Sequence, residues 1–450
     1  MDQLFKSVIC LGNAISTCAA RSLEEAAPLM TNSIARLVSA IAPDDKGRGI
    51  STIGAQSLFP LFFGPSFPAP ASPRQLFWTA WQICRRSLDF FEKVSPVNEL
   101  PVQWEEMRNK LEAFSLFEHV DLALNLAGVT DHSLLNLVHR AHLLGPYFSV
   151  WATEGVGHYY ADSHVSCDGR VTTIWGKSHT RDLPVTSLVP LHAGIGLALA
   201  ERLLADIHDL NSSEFQKQLA EFVRACRDTF QPEYLEIIYE ALGLATRNLY
   251  PHLTAKMHLS LVKINEELPE YFWHGVGRAL YFVPSSFLPG NSSPWKVFEM
   301  CIKEPPNEAC RRNTVAGFVW ALTLVNIRQP HIMAEFLSHH GKDLQEQEAV
   351  ANGICSALII WTGCCPNDHD LTRMNQYQCD GRESISGLWK KYIGEAFRNA
   401  LVYGSTKSGR EHLGKLFRYQ STTRLLAGAK QDHSYVLNGT GWSDLSGGRQ

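Results

Sequence analysis

Five ionisable residues stand in or beside short glycine-containing segments, and their spacing could bring an acid, a base and a cation together. Glu154 and His158 are four residues apart, as are His274 and Arg278, so each pair shares one face of a helix. Glu240 precedes a small residue, as Glu154 and His274 do. Such side chains could perform acid–base chemistry, or bind a ligand carboxylate or carbonyl. We therefore take these five residues as the candidate catalytic set.

The same residues also have a purely structural interpretation. An arginine buried alone in an apolar run is costly, so Arg278 could pair with Glu240 rather than with a ligand. A hydrogen-bonded stripe at a helix junction would account for Glu154 and His158, because buried polar groups need partners. Both interpretations stay open at this stage.

A candidate metal site overlaps the first of these segments. His158, Asp162 and His164 follow Glu154 closely, and histidine and carboxylate side chains bind divalent metals. The second Glu-x-x-His motif of a di-iron bundle is missing. The sequence names no cofactor.

The segments that position these residues recur along the chain. Small residues that begin similar helical patterns follow one another at intervals of 34 to 47 residues: Gly155, Gly194, Ala241, Gly275, Gly317 and Gly353. A period near forty with two helices per unit is typical of helical-hairpin repeats. We predict an all-α fold in which these repeats form an α/α toroid or an open solenoid.

Most units carry a second glycine two positions after the first, which needs an explanation because glycine inside a helix costs about 0.5–1 kcal/mol relative to alanine. Close packing of helix backbones would offset that cost, and so would close approach of a ligand. The motif also recurs in units that carry no polar group beside it. This recurrence favours helix packing over ligand binding as the reason for the glycines.

The rest of the chain divides by composition. We predict an N-terminal helical segment (1–56), a strap rich in proline and phenylalanine (57–74), a helical region (75–150), the repeat core (151–366) and a C-terminal helical extension with a disordered tail (367–450). Only Arg170 to Trp175 has the pattern of a strand.

Bulk composition excludes several classes of function. A net charge of −4 without a basic cluster argues against nucleic-acid binding. No run approaches ~18 uninterrupted apolar residues, so we expect no transmembrane segment. Asp2 and Asn13 argue against a signal peptide, and the eleven cysteines form no Cys-x-x-Cys pair. We expect a cytoplasmic protein with buried thiols.

Common catalytic motifs are missing as well. The chain has no Asp-rich prenyl-diphosphate motif, no Gly-x-Ser-x-Gly elbow and no phosphate-binding loop, and no predicted strand precedes its Gly-x-Gly pairs. This argues against the usual helical cyclases, serine hydrolases and nucleotide-binding enzymes.

The repeat segments, in this order, resemble the UnbL-type proteins, a family of unknown function often found beside enediyne polyketide synthases. The resemblance covers roughly residues 75–365 and is carried by Glu154–Gly157, Leu191–Ala200, Tyr239–Gly243, His274–Val283 and Ala316–Ala321. His158, Tyr160, His274 and the tail after residue 366 depart from the family pattern. The family brings no established catalytic residues. It implies a setting in specialised metabolism of long, unsaturated acyl or polyketide chains.

Three hypotheses follow. The protein could be an accessory protein of such a pathway, holding an apolar ligand, an acyl or polyketide intermediate, or binding a pathway protein. It could instead be an enzyme that acts on such a chain by acid–base or metal-assisted chemistry with the candidate set. A scaffold without a ligand is the third.

Overall fold

The computed structural model describes Arg85 and residues 102–164, 182–282, 294–341, 344–366, 368–379, 382–404, 413–421 and 424. These residues are mostly helical and include no β-strand, which confirms the predicted all-α class. The N-terminal helical segment, the strap at 57–74, the strand at 170–175 and the tail beyond residue 424 lie outside the described residues.

Sixteen α-helices occur in the part of the chain that the structure describes. The first eight, α1 to α8, are Val102–Glu118, Val120–Ala123, Leu134–His142, Pro146–His164, Val185–Ile207, Ser212–Thr229, Pro232–Leu249 and Thr254–Ile264. The next eight, α9 to α16, are Leu268–Phe282, Pro294–Lys303, Glu308–Val325, Pro330–His340, Gln347–Cys364, His369–Gln376, Glu383–Trp389 and Glu395–Gly404. Short 3₁₀ segments cover Pro251–Leu253 and Leu413–Phe417, and a π-helical turn, Lys390–Gly394, precedes α16.

Six of these helices, α4, α5, α7, α9, α11 and α13, are buried over most of their length, and we call them the inner helices. Each packs against the next one in chain order. The first and last helices of this series, α4 and α13, are also in contact. The ring of Tyr147 in α4 lies 5.9 Å from that of Trp361 in α13. The thiol of Cys365 also donates to the carbonyl of Pro146.

The helices between the inner ones are amphipathic and more exposed. In α6 the buried residues recur at steps of three and four and face inward: Phe215, Leu219, Phe222, Val223 and Cys226. Local sequence sets the helix starts. The side chain of Asn211 caps α6 and that of Asn307 caps α11, while α7 and α12 begin with a proline, whose missing N–H has no intrahelical partner there anyway.

One helix in the described ranges, α5, is long and apolar enough to cross a membrane by length and hydropathy, although most of this apolar stretch is buried inside the protein. Buried core helices of globular proteins can have the same length and hydropathy. The seven cysteines within the described residues are free thiols; Cys364 is partly exposed and the other six are buried.

Candidate functional site

Glu240 connects two other members of the candidate set at the centre of the inner helices. Its Oε1 lies 3.1 Å from Nδ1 of His274, and its Oε2 accepts a hydrogen bond of 2.9 Å from Nη1 of Arg278. His274 and Arg278 are one turn apart on α9, so one face of that helix presents both to α7. All three side chains are buried.

Arg278 reaches a second carboxyl group on another helix. Its Nη2 donates to Oε1 of Glu154 in α4 over 3.3 Å. The guanidinium also lies over the ring of Trp320, 4.7 Å from its centroid, in cation–π geometry. The structure therefore brings together Glu154, Glu240, His274 and Arg278, and we call these four residues the polar cluster.

Contact between helix backbones holds the polar cluster in register. A Cβ atom on Gly194 would lie 1.8 Å from the carbonyl oxygen of Glu154, and one on Gly275 would lie 2.0 Å from that of Glu240. Only glycine fits against a backbone at such distances. These glycines therefore support helix packing, and each lies on the carbonyl of a cluster residue.

Burial sets the charges within the polar cluster. It raises the pKa of Glu154, opposed by Arg278 and reinforced by Glu240. It lowers the pKa of His274, opposed by the hydrogen bond to Glu240. Burial alone would lower the pKa of Arg278, but Glu240 and Glu154 outweigh it and raise that pKa. These directions favour a charged Arg278, a neutral His274 and a proton on Glu154.

His158 lies outside these direct contacts. Its Nε2 is 3.3 Å from Oε2 of Glu201 in α5, and its ring packs edge-on against Phe117 at 5.1 Å. Glu154 lies one turn before it in α4, and the interaction with His158 acts to lower the pKa of Glu154. The sequence did not point to Glu201, which follows an apolar run in α5 and has no distinctive spacing.

The structure describes the side chains of two of the three proposed metal ligands, and each of these contacts a different residue of α5. His158 binds Glu201, and Asp162 binds Arg202 at 3.2 Å. His164 ends α4, and its side chain is outside the description. Among the described residues, no group of three or more His, Cys, Asp or Glu side chains could hold a metal ion.

A cavity of about 60 Å³ lies beside the polar cluster, between α1, α4, α5, α7 and α9. Its polar lining residues are Glu154, Glu201, Asn248 and Arg278. Its other lining residues are apolar: Ala113, Phe114, Phe117, Trp151, Leu197, Leu244, Ala245, Leu249 and Phe282. Phe114, Phe117, Glu201 and Asn248 are partly exposed, and they mark its solvent-facing side.

Residues 413–421, which we call the clasp, pack against His274. Phe417 is fully buried, and its ring lies 6.1 Å from that of His274 and 5.4 Å from that of Trp320. Nε2 of His274 has no hydrogen-bond partner within the described residues. The clasp therefore separates this imidazole from solvent by an aromatic layer.

Hydrogen bonds anchor the clasp near the beginnings of three inner helices. Arg418 donates to Glu270 of α9 at 2.9 Å, and the backbone N–H of Tyr419 donates to Asn313 of α11 at 2.6 Å. Asn352 of α13 donates to the carbonyl of Gln420 at 2.8 Å. One short segment thus ties three helices together.

A second buried polar group lies between α1 and α9. Lys110 and Glu106, both fully buried, form an ion pair of 2.8 Å one turn apart on α1. The ammonium group lies 4.1 Å from the ring centroid of Tyr281, whose hydroxyl accepts from Asn326 at 2.8 Å. Neither Lys110 nor Glu106 lines the cavity.

Comparison with known proteins gives no relative: no family model, no curated protein and no solved structure matches this chain. The resemblance to the UnbL-type family stays a prediction.

Proposed function

We propose that this protein binds a small, mainly apolar molecule in the cavity, with a carbonyl oxygen of that molecule directed to Glu154 and Arg278. The observation that carries the proposal is the cavity itself, which is apolar on most of its wall and has these two buried polar groups on one side. Concave, mostly apolar sites with a few convergent polar groups are typical of small-molecule sites.

The charges favour a neutral carbonyl over a carboxylate. Arg278 already has the carboxyl groups of Glu154 and Glu240 as partners, so the negative charge of an anionic ligand would be buried without a cation of its own. A protonated Glu154 can donate a hydrogen bond to a carbonyl oxygen. Arg278 also lines the cavity, and its positive charge attracts the negative end of the same carbonyl dipole.

The size of the cavity limits what can enter it. A volume of about 60 Å³ holds only a few water-sized groups, so the cavity admits only the head of a longer molecule. The remainder would leave past Phe114 and Phe117, on the partly exposed side. An acyl or polyene chain of the kind associated with the UnbL-type family is the first ligand class that we would test.

We further infer that the six inner helices form a closed α/α toroid. The contacts of Tyr147 with Trp361 and of Pro146 with Cys365 support closure between α4 and α13. In such a ring the polar cluster lies on the inside, with the cavity on one side and the clasp on the other.

Thermal unfolding with three eight-carbon probes tests the proposal: 2-octanone, octanoate and octan-1-amine. We expect saturable stabilisation by the ketone, since a ligand at 100 times its Kd adds about 2.7 kcal/mol, and much less by the two charged probes. Ala245→Leu should fill the cavity and abolish the effect, whereas Ala205→Leu, at an exposed position of α5, should keep it.

Two outcomes would contradict the proposal. One is equal stabilisation by the ketone in both leucine variants, which would place binding elsewhere. The other is no stabilisation by any probe, which would favour a scaffold without a ligand.

A further inference from the structure

We propose that Glu154 and Glu201 act as an acid–base pair that exchanges protons at the carbon next to the carbonyl group of the bound molecule. This inference rests on the proposed function and adds a reaction to it. Glu201 lies outside the candidate set predicted from the sequence.

The two carboxyl groups reach the cavity from different helices, Glu154 from α4 and Glu201 from α5. Their surroundings differ. The side chain of Glu154 is 9% exposed and contacts Arg278, whereas that of Glu201 is 21% exposed and contacts His158. Two carboxyl groups that face one site in unlike environments can divide the roles of acid and base between them.

The proposed reaction is a reversible enolisation. The Glu201 carboxylate takes the α-proton, and the electron pair of that C–H bond forms a C=C bond. The π bond of the carbonyl group breaks, and its electron pair on oxygen takes the proton of Glu154. The product is an enol, with Glu201 protonated and Glu154 ionised beside Arg278, whose positive charge stabilises the new carboxylate. The reverse steps restore the ketone, so no oxidant or other reactant is required.

His158 connects this reaction to solvent. It lies 3.3 Å from Glu201 and can pass on the proton that Glu201 has taken, in parallel with direct exchange between the partly exposed Glu201 and water. His158 is therefore a positioning and relay residue, not a catalytic one. In D₂O, exchange at this point would place deuterium at the α-carbon when the enol returns to the ketone.

The test is ¹H NMR of 2-octanone in D₂O, following the loss of its α-proton signals with and without the protein. We expect exchange faster than in buffer, and a decrease of at least about 100-fold in Glu201→Gln, the usual contribution of a general base. Glu154→Gln should also slow exchange. Glu221→Gln, at an exposed position of α6, should leave it unchanged.

A second substrate tests whether His158 relays a proton or only supports the structure of the site. A β,γ-unsaturated ketone becomes conjugated when Glu201 moves a proton from the α- to the γ-carbon, and this transfer does not require exchange with solvent. His158→Asn should therefore keep the rise in ultraviolet absorbance but incorporate deuterium more slowly, at the rate that direct exchange between Glu201 and water allows. A parallel loss of both signals would contradict the relay.

The experiments distinguish failure of the binding proposal from failure of the proposed reaction. If 2-octanone stabilises the protein but its α-protons exchange no faster than in buffer, the reaction is wrong and the binding proposal stands. If exchange persists unchanged in Glu201→Gln, the assignment of the base is wrong. If neither stabilisation nor exchange occurs, both proposals fall together.

Discussion

Nη1 of Arg278 lies 2.9 Å from Oε2 of Glu240, with side chains that are 4% and 0% exposed. A charge buried this deeply cannot exchange its partner for water, so each group depends on the other. The helices that carry them are in backbone contact one turn away, at Gly275. The ion pair and the helix packing therefore support each other.

We expect Arg278→Ala to destabilise the protein by about 3–5 kcal/mol, because it leaves the carboxyl groups of Glu240 and Glu154 buried without their cation. Urea unfolding measures the loss. Lys303→Gln removes an exposed ion pair with Glu299 on α10 and should have little effect. Equal losses in the two variants would contradict a special role for the buried pair.

Glu154→Gln should change how stability depends on pH. Because burial raises the folded pKa of Glu154 above its ordinary value of about 4.3, the native state holds this proton more tightly than the unfolded state. The contribution of Glu154 is then largest below about pH 4.3 and declines as pH rises through the folded pKa.

The free energy of unfolding of the glutamine variant, minus that of the wild type, should therefore increase with pH across this window and then level off. Urea titrations at a series of pH values give the difference. Glu221→Gln, on the surface of α6, should give a flat profile. A flat profile for Glu154→Gln would show that this carboxyl does not take up the proton.

Gly194→Ala should lower the free energy of unfolding by about 1–3 kcal/mol or more, the range typical of overpacking. The reason is that the new Cβ would lie 1.8 Å from the carbonyl oxygen of Glu154. The matched control is Gly363→Ala in α13, whose Cβ would meet nothing within 4 Å. That substitution should be neutral or stabilise by up to about 1 kcal/mol, because alanine favours the helix. Thermal unfolding compares the two variants directly, and similar losses would argue against backbone contact.

Phe417→Ala should open the side of His274 that the clasp covers. Diethyl pyrocarbonate modifies accessible neutral imidazoles, so mass spectrometry of the His274 peptide should find label in this variant and none in the wild type. Phe336→Ala is the control, because it truncates an equally buried phenylalanine packed on Phe298 and His340 and so accounts for the cost of a cavity. Labelling of His274 in both variants would indicate general loosening instead.

Lys110→Met should destabilise the protein by about 3–5 kcal/mol, because Glu106 would stay buried without its cation. Replacing both partners, as Lys110→Met with Glu106→Leu, should recover most of that loss, since removal of a whole buried ion pair is often neutral. Urea unfolding of the two variants gives the comparison. A double variant as unstable as the single one would mean that the pair is needed for more than charge balance.

Local sequence pattern was enough to predict the helices and the glycine-mediated packing. The small residues at 194 and 275 have the spacing of contact positions, and the structure places each against a neighbouring backbone. The grouping of Glu154, Glu240 and His274 followed from aligning the units, because each precedes a small residue. Equivalent positions on helices packed in register lie close together.

Other parts of the site could not be predicted because they depend on contacts distant in the chain. Phe417 reaches His274 from a segment that departs from the repeat, and no periodicity links the two. Lys110 and Glu106 have the spacing of an ordinary surface pair on a helix, and only the packing of Tyr281 against them reveals their burial. Glu201 becomes a candidate only because it lines the cavity, and that cavity is formed by five helices that are distant in the sequence.

The glycine contacts have a consequence for how this protein could diversify. Gly194, Gly275 and Gly317 lie on the carbonyls of Glu154, Glu240 and His274, so the backbone at those sites is fixed by atoms that every amino acid possesses. Other side chains at those sites would keep this backbone contact, provided that the buried charges paired with Arg278 change together. The positions before the repeat glycines or alanine can thus carry different residue types on the same helix backbones. They are Glu154, Ala193, Glu240, His274, Ala316 and Asn352. Selection could change the chemistry of the interior, with paired charges replaced together, while the helix packing is inherited unchanged.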